Sequence, residues 1–121
     1  MAYNIQFDEE NNIIRLTITG LINAEIVAEA MTEAIKLAEK NKSERFLVDT
    51  RGTVLCEFAS DTIAFASTLE SLGYKKTYRS AIVYDAPDRD RQLIVDSCKK
   101  QGFELHELFY NIDKAVAWLM E

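Results

Sequence analysis

The chain is 121 residues long, 48% of them hydrophobic, with 14 basic and 20 acidic side chains and a formal charge of −6. That length predicts one domain, residues 1–121, with a real core, and the apolar content excludes a disordered chain. The acidic balance excludes a general binder of nucleic acid or of anionic membranes, both of which need a basic surface, and leaves room only for a local basic patch.

Tyr3, Ile5 and Phe7 fall on one side of a strand, and the polar run DEENN turns the chain. In IIRLTIT, Ile14, Leu16 and Ile18 alternate with Arg15, Thr17 and Thr19, which predicts a strand with one buried face. The two runs pair as an antiparallel hairpin at a sheet edge. Asn23 is placed to cap the next helix, and Glu25 sits in its first turn, where the helix dipole favours an acid. Ile26, Val27, Ala30, Met31, Ala34, Ile35 and Ala38 follow at helical spacing, and the helix ends near KNK. RFLVD comes next. Its unbroken apolar run, Phe46 to Val48, predicts a central strand covered on both faces.

A second helix is predicted to start at Ser60 or a neighbour, with Ile63, Phe65, Ala66, Leu69 and Leu72 as its apolar positions and Gly73 as its stop. YKKTYR is a polar, aromatic link and SAIVYD a second buried strand. APDRDRQLIVDSCKKQG reads as a third helix, with Pro87 in its first turn and Lys99, Lys100 and Gly102 closing it. FELHELF is a last strand. NIDKAVAWLME is a closing helix capped by Asn111 that buries Ile112, Val116 and Leu119. The order β-β-α-β-α-β-α-β-α predicts an α/β fold with a mostly parallel sheet, right-handed crossovers and an antiparallel first strand.

The start, MAYNIQFDEENN, has neither a basic n-region nor an apolar h-region, and no apolar run approaches the ~18 residues of a membrane span. The expectation is a cytoplasmic protein with reduced thiols, not an integral membrane protein. Cys56 and Cys98 lie far apart, outside any CxxC pair or metal-like cluster, and read as buried thiols. No cofactor or metal is expected.

Ligands of open α/β sheets bind beyond the carboxyl ends of the strands. Here those ends carry Gly20 to Asn23, Asp49 to Gly52, Asp85 to Asp88, and Tyr110 with Asn111, beside helix N-termini with free N–H groups. A small anion held there would meet Asn23, Asp49 and Arg51, with Arg51 as its partner. Asn23, Asp85, Asp88 and Asn111 also read as caps and turn formers.

No GxGxxG, GxxxxGK[ST] or GxSxG pattern occurs, and with only 4 glycines a nucleotide cradle is not expected. His106, the only histidine, falls opposite Phe103 and Leu105 in phase, which predicts the less buried face of an end strand. Nothing in the sequence orients it, so no catalytic residue is assigned and no enzyme is expected. Asp49 and Asp85 invite comparison with phosphorelay receivers, but DEENN leads into a hairpin and ELFYN lacks the lysine such domains carry after their last strand. Tyr74 and Tyr78, with Lys75, Lys76 and Arg79, form a local basic and aromatic cluster. It suits an acidic partner or a lipid head group, or tyrosines packed beneath a solvated loop.

A β-hairpin followed by ITGLINAE, a long helix, RFLVDTRG, a helix, SAIVYD, a helix, a short strand and NIDKAVAWL resembles the SpoIIAA-like branch of the STAS fold, small proteins related to bacterial anti-sigma factor antagonists. The resemblance covers nearly the whole chain and rests most on TGLINAE, FLVDTRG and DKAVAWL. It implies a SpoIIAA-like fold and a non-enzymatic regulatory or protein-interaction domain that binds a protein partner or itself. The antagonists carry a serine in a D-S-[ST]-G-like motif at the start of the helix after the third strand, which a partner kinase phosphorylates. Laid on CEFASDT, Glu57 stands near the acid, Phe58 and Ala59 near the hydroxyls and Ser60 near the glycine, so the motif is absent. Ser60 remains the candidate phosphorylation position, where a phosphate would add about −2 charge, and it serves equally as a helix N-cap. Cys56, Glu57, Phe58, Ser60 and Asp61 form the candidate partner-binding surface. The branch is also similar in fold to lipid-binding Sec14-type domains. That implies an alternative, a small-molecule or lipid-binding module with an apolar pocket between helices and sheet.

Overall fold

The central strand is apolar on both faces, and that forces a layer of helix on each side of the sheet. The computed structural model describes residues 2–55 and 62–121, with residues 62–66 described in their backbone only. The candidate surface Cys56, Glu57, Phe58, Ser60 and Asp61 therefore lies outside the described residues, as does the Ser60 phosphorylation position.

Strands β1 (Tyr3–Asp8) and β2 (Ile13–Ile18) form the antiparallel hairpin. Its turn closes through Asp8, whose carboxylate accepts the Asn11 backbone N–H at 3.2 Å, the Asn11 amide at 3.1 Å and Arg15 Nη2 at 3.2 Å. The Asn11 side-chain bond leads the effects that hold the Asp8 carboxyl below its ordinary pKa. β4 (Arg45–Asp49), β6 (Arg79–Val83) and β7 (His106–Phe109) then add in parallel, giving the sheet order β1-β2-β4-β6-β7. Two strands of two residues each, β3 (Leu21–Ile22) and β5 (Val54–Leu55), pair in parallel as a separate small sheet. Period-two alternation cannot reveal elements so short, and they are additions to the predicted order.

Helices α1 (Ala24–Asn41), α2 (Thr62–Ser71) and α3 (Arg89–Lys100) line one face, and α4 (Ile112–Leu119) covers the other. The larger core gathers Ile14, Leu16, Ile18, Phe46 and Val48 against Ala30, Ala34 and Ala38 of α1. The smaller core holds Ile13, Leu47, Ala81 and Val83 against Ala115 and Leu119. Ile13 is thus buried on the face opposite Ile14, so β2 is covered on both sides at its start, where α4 reaches over it.

The ends of the helices follow from their capping chemistry. Asn23 accepts the Ile26 N–H at 2.8 Å and Asn111 the Lys114 N–H at 3.0 Å. Asp88, not Pro87, begins α3: it is the N-cap and its carboxylate accepts the Asp90 N–H, so Pro87 stands outside the first turn. At the far end of α2 the Tyr74 N–H reaches the Leu69 carbonyl and the Gly73 N–H that of Glu70, with Gly73 at φ +97°. That Schellman arrangement needs a left-handed residue, which glycine supplies without strain. No helix among the described residues is long and apolar enough to cross a membrane.

Candidate functional site

A cavity of about 80 Å³ lies between the sheet and α1, α2 and α3. Most of its described lining residues are buried and none is exposed. Its walls are aliphatic, with Ile18, Val48 and Ile82 from the sheet facing Met31, Leu69 and Val95 from the helices. Among the described lining residues, polar side chains stand toward its two ends.

The end near the strand amino termini carries Ser80 and His106, which are register partners on β6 and β7. Ser80 Oγ is hydrogen-bonded to Tyr74 Oη. The His106 Nδ1 lies 3.2 Å from the Phe103 carbonyl, which only accepts, so this nitrogen carries the proton. Burial lowers the His106 pKa from 6.5 to about 4, which keeps the ring neutral at pH 7. The structure corrects the expected exposure of His106. The side chain is 5% exposed because α3 and the Phe103 turn cover this end of the sheet. Cys98 lines the same region, and burial pushes its thiol up to about 12.

The end near the strand carboxyl termini carries Thr50 and Arg91. Arg91 is 6% exposed, and its charge is answered locally. Nη1 pairs with Asp88, Nη2 donates to the Thr53 hydroxyl and to the Thr53 carbonyl, and the guanidinium carbon lies 3.4 Å from the Tyr84 ring centroid. Thr53 is fixed in turn by donating to the Thr50 carbonyl at 2.6 Å, and Thr50 donates to the Val83 carbonyl at 2.8 Å. The guanidinium is therefore held between the loops that follow β4 and β6. Sequence reading missed Arg91: a basic residue in the first turn of a helix reads as surface, and only the tertiary contact with Thr53 and Tyr84 brings it inside.

The strand-end residues Asn23, Asp49 and Arg51 are placed separately. Asn23 spends its side-chain oxygen on the α1 cap. Asp49 and Arg51 hold one another, with Nε at 2.9 Å and Nη2 at 2.8 Å from the two carboxylate oxygens. Burial works to raise the Asp49 carboxyl, but the hydrogen bonds and charge of Arg51 outweigh it and hold the group below its ordinary pKa. Asp85 accepts the Gly52 N–H at 2.8 Å, tying this turn to the end of β6. The tyrosines of the basic cluster belong to the core: Tyr74 and Tyr78 are each 3% exposed and pack on Phe46, while Lys75 and Lys76 stay at the surface.

No family model and no curated protein sequence matches the chain. Among solved structures, it is similar to an uncharacterized protein from the DUF3478 family with a SpoIIAA-like fold, from Shewanella loihica PV-4. The TM-score is 0.60 at 16% identity, over 98% of this chain and 92% of that one. An identity that low speaks for the fold alone, and it agrees with the strand order and the antiparallel first strand: the chain is an α/β domain with a SpoIIAA-like fold.

Proposed function

We propose that this is a binding domain rather than an enzyme, and that the partly open cavity between its sheet and helices takes a small, largely apolar molecule. The observation that carries the reading is the cavity itself. Native cores pack to crystal density with few voids larger than a water molecule. About 80 Å³ left open among Ile, Val, Leu and Met side chains leaves some packing attraction unclaimed. A guest that fills the space recovers part of it. A cavity of ~150 Å³ holds benzene, so a space about half that size suits roughly three or four non-hydrogen atoms. Drug-sized and lipid-sized ligands occupy sites of ~300 Å³ or more, so the reading narrows from lipids to small molecules. The groups with catalytic potential are turned to structural use, with His106 bonded to Phe103 and Cys98 held as a buried thiol, which supports binding over catalysis.

The test is a titration of methyl-labelled protein with 1-propanol, followed by NMR. Saturable shifts at Ile82, Leu69 and Val95, with a Kd on the order of millimolar for so few atoms, are expected. Shifts that stay linear in concentration, or that gather at exposed Leu93, would remove the cavity as a binding site.

A second reading rests on a different observation. Leu21 and Val54 are 62% and 60% exposed, and they are register partners on the small β3–β5 sheet. Segment 56–61, the expected partner-binding surface, continues directly from β5 in sequence. A paired, exposed apolar couple on a sheet that has two strands among the described residues suits contact with a second copy of the chain. Leu21→Lys is then expected to lower the sedimentation coefficient at high protein concentration. Identical concentration dependence in the two proteins would count against self-association through this face.

A further inference from the structure

We infer that two copies of the chain join edge to edge through β1, antiparallel and centred on Ile5, so that their two sheets become one. The contact is distinct from the Leu21–Val54 couple and rests on other observations.

β1 ends the sheet order, and its outer side meets no other strand among the described residues. The Thr19 N–H donates to the Ala2 carbonyl at 2.9 Å, and Ala2 and Thr19 continue the register of β1 and β2. Antiparallel pairs alternate between hydrogen-bonded and open. Asn4, Gln6 and Asp8 therefore turn their backbone groups to β2, and Tyr3, Ile5 and Phe7 turn theirs outward. Among the described residues no backbone partner meets them there. Edge strands are usually guarded by charge, proline or a bulge. The run YNIQF, Tyr3 to Phe7, has no charged residue and no proline, and it pairs with β2 without interruption. The opposite edge, β7, is shorter and carries Glu107, ion-paired with Lys99.

The pattern of this open edge fits a second copy of itself. A two-fold axis at Ile5 sets Ile5 opposite Ile5 of the second copy and Tyr3 opposite Phe7 of the second copy, so the outward backbone groups match. These side chains share the face that packs on the larger core. On the other face, exposed Asn4 meets exposed Gln6 of the second copy, and no like charges are opposed. The helices agree with the strands. α1 returns from β2 to β4, which are parallel, and so runs in the direction of β1. The Tyr3 hydroxyl donates to Glu29 at 3.3 Å, which puts that side of α1 beside β1. Exposed Glu29, Glu33, Lys36 and Lys40 follow one another along this side at helical spacing. The midpoint of the stripe lies about 8 Å beyond Glu29, and Ile5 lies about 7 Å beyond Tyr3. An axis at Ile5 therefore lays the acidic half of one α1 against the basic half of the other. Both copies use the same edge, so the contact closes at a dimer.

The test is sedimentation equilibrium from micromolar to millimolar protein, with far-UV circular dichroism to follow folding. Asn4 and Gln6 are exposed, so substitution there spares the core. Asn4→Lys with Gln6→Lys opposes like charges across the axis while reducing the formal charge of −6. It is expected to dimerise roughly three- to thirtyfold more weakly than the native chain. Asn4→Lys with Gln6→Glu opposes unlike charges instead, and is expected to dimerise at least as tightly as the native chain.

A native chain that stays monomeric at millimolar concentration would overturn the inference, as would a first variant that dimerises like the native chain. A second variant as weak as the first would overturn the register centred on Ile5. If Leu21→Lys abolishes an association that the first variant keeps, the contact is the small sheet and not β1.

Discussion

Phe46→Ala is expected to lower the unfolding free energy by about 3–5 kcal/mol, a large part of the ~5–15 kcal/mol that holds a domain folded. Phe46 is 0% exposed and sits in β4, the middle strand of the five-stranded sheet. Its ring lies 5.6 Å from that of Tyr74 and 5.1 Å from that of Tyr78, and the two tyrosines stand edge to face at 5.1 Å. Tyr74 continues the stack to Phe103 at 5.5 Å and to His106 at 5.3 Å. Aromatic pairs of this kind contribute ~0.5–1.5 kcal/mol each beyond the area they bury. Truncation at Phe46 removes the ring that both tyrosines pack on, and neither can close the gap without losing the other contact. Phe46→Leu keeps most of the volume and is expected to cost less. Urea unfolding followed by far-UV circular dichroism reads the change as a lower midpoint at constant slope. A loss below about 1 kcal/mol, the centre of the range for ordinary substitutions, would show that the cluster relaxes around the missing ring.

The same cluster shows how much of the molecule is legible in the amino-acid order. YKKTYR reads as a link because its charges dominate the local pattern, yet Tyr74 and Tyr78 are core residues. Their burial is fixed by Phe46 and Phe103, which are distant in sequence, and no local period records it. The long elements are a different case. The spacing of Ala30, Met31, Ala34, Ile35 and Ala38 forces α1 onto the sheet, and the run Phe46 to Val48 places β4 in the middle. Both are strong periodic signals and both are found as predicted. β3 and β5 escape because two residues carry no period.

The site divides along the same line. An apolar pocket between helices and sheet follows from the resemblance to Sec14-type domains, and the cavity lies in that layer. The cation at its end does not follow from any local pattern. Arg89 and Arg91 stand two apart in one helical turn, and from sequence they are equivalent. Their positions differ by about 200° around the helix, so Arg91 turns inward to Thr53 and Tyr84 while Arg89 is exposed. Of the expected strand-end ligands, Asp49 and Arg51 are consumed by each other. That pairing is a local i, i+2 contact at the end of β4, at the surface and apart from the cavity lining.

Acidification should weaken the fold in a window that His106 sets. Burial leads the causes that lower its pKa from 6.5 to about 4, with the charge of Lys99 adding to it, while the bond to the Phe103 carbonyl opposes the shift. The folded chain therefore declines a proton that the unfolded chain accepts between those two values. Above about pH 6.5 both states are neutral at this ring and nothing is lost. As the pH falls below that, the unfolded state gains the proton and stability drops, by about 1 kcal/mol at pH 5.5 and about 2–3 kcal/mol at pH 4.5.

The carboxylates act elsewhere. Asp8 and Asp49 have folded pKa values below 3.8, so their contribution is present above that value and disappears only as the pH falls further. The histidine window is thus separable from ordinary acid denaturation. His106→Gln keeps an N–H to donate to Phe103 and removes the titration. Urea unfolding of both proteins at pH 7, 5.5 and 4.5 should give a falling stability for the native chain and a nearly flat one for the variant. Parallel curves for the two would mean that His106 takes up its proton in the folded state without penalty. A protonated ring beside Ser80 would then set a second buried cation against the aliphatic walls of the cavity.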